Sequence, residues 1–356
     1  MATFVHREYC FVAETKVAKR LDIPIGVPAY FFLCCQKVLA DTNNFLLKVS
    51  NFRIGAVFIA IIHRFCIFAM TNWLIMETVK LNNGVLMPVL GLGTFEVTEP
   101  AECIDSVKDA LELGYRMVDT AQLYNNEEFV GEGIAESGVP REDVFITTKV
   151  MNCNFSCARA SLMESMKKLR TDYLDLVLLH WPYGDVYAAW RDLEAMYEEG
   201  LIRAIGVSNF NTDRLIDLIC YNKVVPAVNQ VETNILAQQL EAHEWMVRLG
   251  VQHEGYMPFA RGRYDSVFED PTLVAIAQKY GKTTRQVALR YQVQCGVIVI
   301  PKSVHLERIR ANADIFDFEL TGEEMTAIRS MDRNAPTTGV PELPERVMKV
   351  TGFKLP

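Results

Sequence analysis

Leu174-Asp175-Leu176-Val177-Leu178-Leu179-His180 is a strand-length, mostly apolar run that ends on an ionisable side chain. Two runs upstream repeat the pattern: Arg116-Met117-Val118 closes on Asp119, and Val144-Phe145-Ile146-Thr147-Thr148 closes on Lys149. Runs this apolar are those of parallel strands buried on both faces. The stretches between them carry helical spacing, clearest at Leu162, Met166 and Leu169, whose i, i+4, i+7 separation puts three apolar groups on one face. The order is strand, helix, strand, helix.

The alternation continues through residues 202–207, 227–230, 251–256 and 297–300, and Gly91-Leu92-Gly93-Thr94-Phe95 precedes it, which makes eight strands. An eightfold β/α barrel takes roughly 250 residues, and residues 76–356 supply slightly more. The fold class read from this pattern is α/β, a (β/α)8 TIM barrel. Residues 79–87 form its opening β-hairpin, closing the barrel floor, with Asn83-Gly84 as the turn. Chemistry in such barrels sits at the C-terminal ends of the strands, where Asp119, Lys149 and His180 fall, with Tyr124 in the loop after Asp119. Singly, each has a plainer reading. The Asp and the Lys read as a surface ion pair, and the Tyr and the His as packed or satisfied core residues. Their convergence on successive strand ends favours a site.

Asp119-Thr120-Ala121-Gln122-Leu123-Tyr124-Asn125-Asn126-Glu127 resembles the signature of the aldo-keto reductases. In order after it come Leu178-Leu179-His180-Trp181-Pro182, Gly206-Val207-Ser208-Asn209-Phe210, Val228-Asn229-Gln230-Val231-Glu232 and Ile300-Pro301-Lys302-Ser303, which match later motifs of that family. The resemblance covers about residues 77–333. It implies carbonyl reduction with Tyr124 as general acid, Lys149 and Asp119 tuning it, and His180 orienting the substrate oxygen. The residue types suit those roles. A phenol of ordinary pKa near 10 holds its proton tightly, and a neighbouring ammonium lowers that pKa. An imidazole N–H can fix the carbonyl for hydride attack.

No Gly-rich dinucleotide fingerprint follows a strand, since Gly91-Leu92-Gly93 lacks the third glycine and the later acidic residue. The stretch after the last strand, Lys302-Ser303-Val304 through Arg308 to Asn312, opens a helix where barrels often bind phosphate. The resemblance assigns Lys302 and Arg308 to a 2′-phosphate, hence NADPH, and Asn312 to the adenine. Ala311 stands where the family usually has a glutamate. The resemblance also assigns Ser208, Asn209 and Gln230 to the carboxamide and Tyr256 to stacking on the nicotinamide, with Met257 in place of a common serine. Alone, Ser208-Asn209 reads as a turn or helix cap, and Lys302 with Arg308 as a solvated basic cluster. Trp181, Phe95 and Phe155 are candidates to line a substrate pocket.

A formal net charge of −8 gives no general attraction for nucleic acid or an anionic membrane. Nine cysteines show no CxxC pair and no metal-ligand spacing, so reduced thiols, no metal and a cytoplasmic location are expected. Residues 1–75 form an atypical extension outside the resemblance. A poorly structured or non-native leader is the favoured reading, ahead of a membrane-peripheral anchor or a helix packed on the barrel. His63 and Arg64 split its most apolar stretch, and an Arg at a membrane helix centre costs about 2.5–3.5 kcal/mol. The loop between Trp181 and Gly184 and the tail past Asn334 are short, which predicts a shallow, open pocket for small polar carbonyls such as methylglyoxal or keto-sugars. A monomer is expected. The rival readings are a cofactor-binding barrel that serves as a channel-associated or structural subunit, and a phosphate-binding lyase or isomerase.

Overall fold

The computed structural model describes residues 77–338 together with residues 344, 347 and 348, so the extension of residues 1–75 lies outside the described residues. The chain begins there with the antiparallel pair β1 (Thr78–Lys80) and β2 (Leu86–Pro88), in register Val79 opposite Met87. Gly84 turns the hairpin at φ +90°, a left-handed conformation that glycine adopts without strain.

Eight parallel strands follow: β3 (Leu92–Gly93), β4 (Met117–Asp119), β5 (Phe145–Val150), β6 (Leu174–Leu179), β7 (Ile202–Ser208), β8 (Val228–Glu232), β9 (Gln252–Tyr256) and β10 (Ile298–Val299). Each is bonded to the next in sequence order. Parallel bridges Leu90–Val299 and Gly93–Lys302 join the two ends of the sheet and close the ring. At that seam a Cβ on Gly93 would stand 2.7 Å from the Ile300 carbonyl oxygen, so the close approach depends on the glycine.

The connecting helices are α1 (Pro100–Glu112), α2 (Glu127–Glu136), α3 (Ala158–Lys168), α4 (Val186–Glu198), α5 (Thr212–Cys220), α6 (Leu240–Leu249), α7 (Pro271–Tyr280), α8 (Thr284–Gln294) and α9 (Leu306–Ala313), with α10 (Gly322–Arg329) after them. Leu162 and Met166 of α3 are buried on one face as the spacing predicts, and Leu169 is buried just past its end. Between β9 and β10 the chain makes two 3₁₀ turns and two helices where a single helical stretch was expected.

Strand side chains alternate, so one set meets the helices and the other fills the barrel. Outward-facing Ile146, Val177, Leu179, Ile205 and Val207 join Leu162, Trp190 and Leu193 in the main core. Inside, Met117, Phe145, Leu176, Leu178, Ala204 and Val228 meet Leu81 and Met87 of the hairpin. Asn82 and Asn83 donate side-chain hydrogen bonds to the carbonyls of Pro226 and Arg203, beside the starts of β8 and β7. The hairpin therefore plugs the end of the barrel opposite Asp119, Lys149 and His180.

Candidate active site

Asp119, Lys149 and His180 leave their strands at one rim, and Tyr124 joins them from a 3₁₀ turn (Gln122–Tyr124) directly after β4. Lys149 is fully buried. Its Nζ donates to Asp119 Oδ1 at 2.6 Å, to Asp119 Oδ2 at 2.8 Å and to the Thr120 carbonyl at 2.9 Å. Burial alone would lower the Lys149 pKa, but Asp119 and then Tyr124 outweigh it and hold the ammonium above its ordinary value. Nζ stands 5.0 Å from the centre of the Tyr124 ring. Phe95 flanks that ring at 5.0 Å, and His180 meets it edge-on at 5.8 Å.

Tyr124 departs from one expectation. Burial raises its pKa, Lys149 pulls the value down, and burial prevails, so the phenol titrates above its ordinary value. The ammonium moderates a desolvation penalty without producing a phenolate. His180 is pushed down to about 3, by burial first and Lys149 second, so its imidazole is neutral at pH 7. Its Nδ1 is buried and has no hydrogen-bond partner among the described residues.

A cavity of about 770 Å³ opens above these groups, lined among others by Tyr124, His180, Asn209, Gln230, Tyr256 and Lys302. Phe95 and Trp181 line it as predicted. Phe155 does not, because it is 2% exposed and packs in the helix–sheet core. Thr337 and Thr338 return to form part of the cavity wall, tied to the buried Glu232 carboxylate by both backbone N–H groups and both hydroxyls. Across the mouth, Arg261 pairs with Glu96.

Four neighbouring strands supply the remaining predicted residues. From β7 come Ser208, whose hydroxyl donates to the Gln230 carbonyl at 2.9 Å, and the adjacent Asn209, whose side chain donates to the His180 carbonyl at 3.1 Å. Tyr256 on β9 donates its hydroxyl to Asn209 Oδ1 at 2.7 Å. Gln230 on β8 spends its amide nitrogen on Asp119 and Glu254 and lines the cavity. Lys302 lines the cavity just past β10, and among the described residues it makes no ion pair. Ser303 and Asn312 are buried, Val304 is half-buried, and Arg308 is exposed in the first turn of α9; none of these four reaches the cavity wall.

This donor set fits a nicotinamide dinucleotide phosphate. Amide and hydroxyl groups with an aromatic ring lie on three adjacent strands, and an unpaired ammonium on the next strand leads to a helix start carrying an exposed guanidinium. Sequence reasoning missed Glu254, the Thr337-Thr338 latch and the Arg261–Glu96 pair. Glu254 alone left a signal, as a carboxylate in the middle of a run read as a barrel strand.

The aldo/keto reductase family model matches residues 89–333. The chain belongs to the aldo/keto reductase family. It is an oxidoreductase of a family that uses NADP(H). The reductase is 46% identical over 261 residues to a glyoxal reductase of Bacillus subtilis (strain 168), covering 72% of this chain and 94% of that protein. It is 42% identical over 258 residues to methylglyoxal reductase DkgA of Escherichia coli (strain K12), covering 72% and 93%. Among solved structures, a Bombyx mori aldo-keto reductase in complex with NADP superposes with a TM-score of 0.72 at 36% identity, over 76% of this chain and 98% of that one.

Proposed function

We propose that this reductase converts small polar carbonyls, glyoxal and methylglyoxal first among them, to alcohols with NADPH, and that Tyr124 is the general acid. The observation that carries the reading is the fully buried Lys149–Asp119 pair beside the Tyr124 ring, with the neutral His180 edge-on to that ring at the same cavity. The names of the relatives, a glyoxal reductase and a methylglyoxal reductase, support the substrate class.

A bound dinucleotide would supply the hydride that the carbonyl carbon takes up. Tyr124, protonated at neutral pH, donates its proton to the carbonyl oxygen as charge develops there. Lys149, kept charged by Asp119, stabilises the phenolate that the transfer leaves behind. Neutral His180 offers one N–H to the same oxygen without competing as an acid. Ser208, Asn209 and Gln230 would hold the carboxamide, Tyr256 would face the nicotinamide ring, and Lys302 with Arg308 would take the 2′-phosphate. Ser303 and Val304 shape the turn that leads to them, and Asn312 lies on α9 toward the adenine. Trp181 and Phe95 wall the substrate space. Thr337 and Thr338 form part of the wall beside it.

The test is a comparison of kcat/KM across glyoxal, methylglyoxal, 2,5-diketo-D-gluconate and long-chain aldehydes, followed by loss of NADPH absorbance. The two dicarbonyls are expected to rank first. Turnover confined to long aldehydes contradicts the substrate assignment, and NADPH binding without any carbonyl turnover favours the structural-subunit rival.

A further inference from the structure

Gln230 and Glu254 are cross-strand partners on β8 and β9, both directed into the barrel. Gln230 Nε2 donates to Asp119 Oδ2 at 2.9 Å and to Glu254 Oε2 at 2.9 Å. A primary amide has two N–H groups, and here each has a carboxyl acceptor. Turning the amide over would set its carbonyl oxygen against the Asp119 carboxylate and aim its NH₂ at the cavity. The amide oxygen is therefore the group that Gln230 offers to a ligand.

Glu254 is fully buried and does not line the cavity, and its second oxygen, Oε1, has no hydrogen-bond partner among the described residues. Burial and the Asp119 charge push its pKa up to about 8, so at neutral pH it holds its proton and the two carboxyl groups share one amide without opposing charges. Asp119 by itself engages only one amide hydrogen, and both its oxygens already serve Lys149. With the second hydrogen unheld, the broad, two-fold terminal torsion of Gln230 is released and a donor becomes available to the cavity.

We propose that Glu254 is a positioning residue for the cofactor's carboxamide: by holding the second amide hydrogen of Gln230 it presents an acceptor and no donor to the cavity, and so selects a pyridine ring bearing a primary amide. The inference rests on the reading that a nicotinamide dinucleotide occupies this cavity.

The probes are NADP⁺ and its 3-acetylpyridine analogue, whose methyl ketone keeps the acceptor and lacks the N–H. Dissociation constants for the full chain come from quenching of tryptophan fluorescence, with Trp181 at the cavity wall. The wild type is expected to bind NADP⁺ roughly tenfold more tightly than the analogue, the worth of one hydrogen bond. Glu254→Met, of similar volume and without an acceptor, is expected to bring that ratio within about threefold, and Glu254→Gln, whose amide oxygen accepts from Gln230, to restore it. A tenfold ratio in Glu254→Met, or its loss in Glu254→Gln as well, overturns the proposal. Should Glu254→Met fail to fold, the wild type decides: both Gln230 amide protons exchange slowly if both are held, and rapid exchange of either one overturns it. A wild type that binds neither dinucleotide defeats the cofactor reading itself, an outcome distinct from the others.

Discussion

Lys149 and Asp119 form a buried pair whose separation is expected to be costly. Lys149→Met leaves the Asp119 carboxylate buried without its cation, and breaking a buried pair from one side costs about 3–5 kcal/mol. Urea unfolding of that variant is expected to show such a loss; a change under about 1 kcal/mol would mean that water replaces the ammonium. Two histidines make the fold acid-sensitive. His180 and His253 are each lowered from 6.5 to about 3 by burial first, then by Lys149 and His243 respectively. Between those values the unfolded chain takes up protons that the folded chain does not, so stability is full above about pH 6.5 and falls as the pH drops toward 3. Glu254 acts with the opposite sign: its folded pKa of about 8 lies above the ordinary 4.5, so its contribution is present below 4.5 and lost as the pH rises through 8. Unfolding free energies measured from pH 7 to 4 should therefore fall less steeply in His253→Leu than in the wild type. Equal slopes would contradict the assignment. At this scale the sequence was informative where an ionisable residue ends an apolar run, as at Asp119, Lys149 and His180. It was silent on the net pKa of Tyr124, because the balance between burial and the Lys149 charge depends on how Phe95 and His180 enclose the ring.

Elements were legible where periodicity is local. The β/α alternation, the hairpin turn at Asn83-Gly84 and the apolar face of α3 follow from neighbours in sequence. Residues 257–263 were not legible. Met257, Ala260 and Arg261 take positive φ there, held by contacts that no local pattern encodes, the Arg261–Glu96 pair among them. The Thr337-Thr338 latch is likewise remote, more than a hundred residues from Glu232. Glu232→Gln retains one acceptor and is expected to loosen the latch. The amides of Thr337 and Thr338 should then exchange faster and KM for methylglyoxal should shift, while the melting temperature of the barrel stays near that of the wild type. Unaltered exchange at both amides contradicts the latch. Where α2 meets the end of α3, a Cβ on Gly131 would stand 2.6 Å from the Lys168 carbonyl oxygen. Gly131→Ala is therefore expected to destabilise by about 1–3 kcal/mol, although alanine is the better helix former by about 1 kcal/mol. A stabilised variant would show that the two helices are free to part.

For the whole molecule, the ring of eight strands was readable from length and alternation, and its closure at Gly93 and Lys302 became visible only in three dimensions. The B. subtilis and E. coli relatives align over 94% and 93% of their own length while covering 72% of this chain. We therefore expect protein expressed from Met76 to fold and to match the full chain in kcat/KM; loss of solubility or turnover would assign residues 1–75 a part in the fold. The proposed chemistry turns on Tyr124, which lines the cavity beside His180. The most direct test compares Tyr124→Phe with the wild type for NADPH oxidation by methylglyoxal, alongside the dissociation constant for NADPH. The account predicts a fall in kcat/KM of about 10²–10⁴ with NADPH binding unchanged. A Tyr124→Phe variant that keeps wild-type turnover would contradict it.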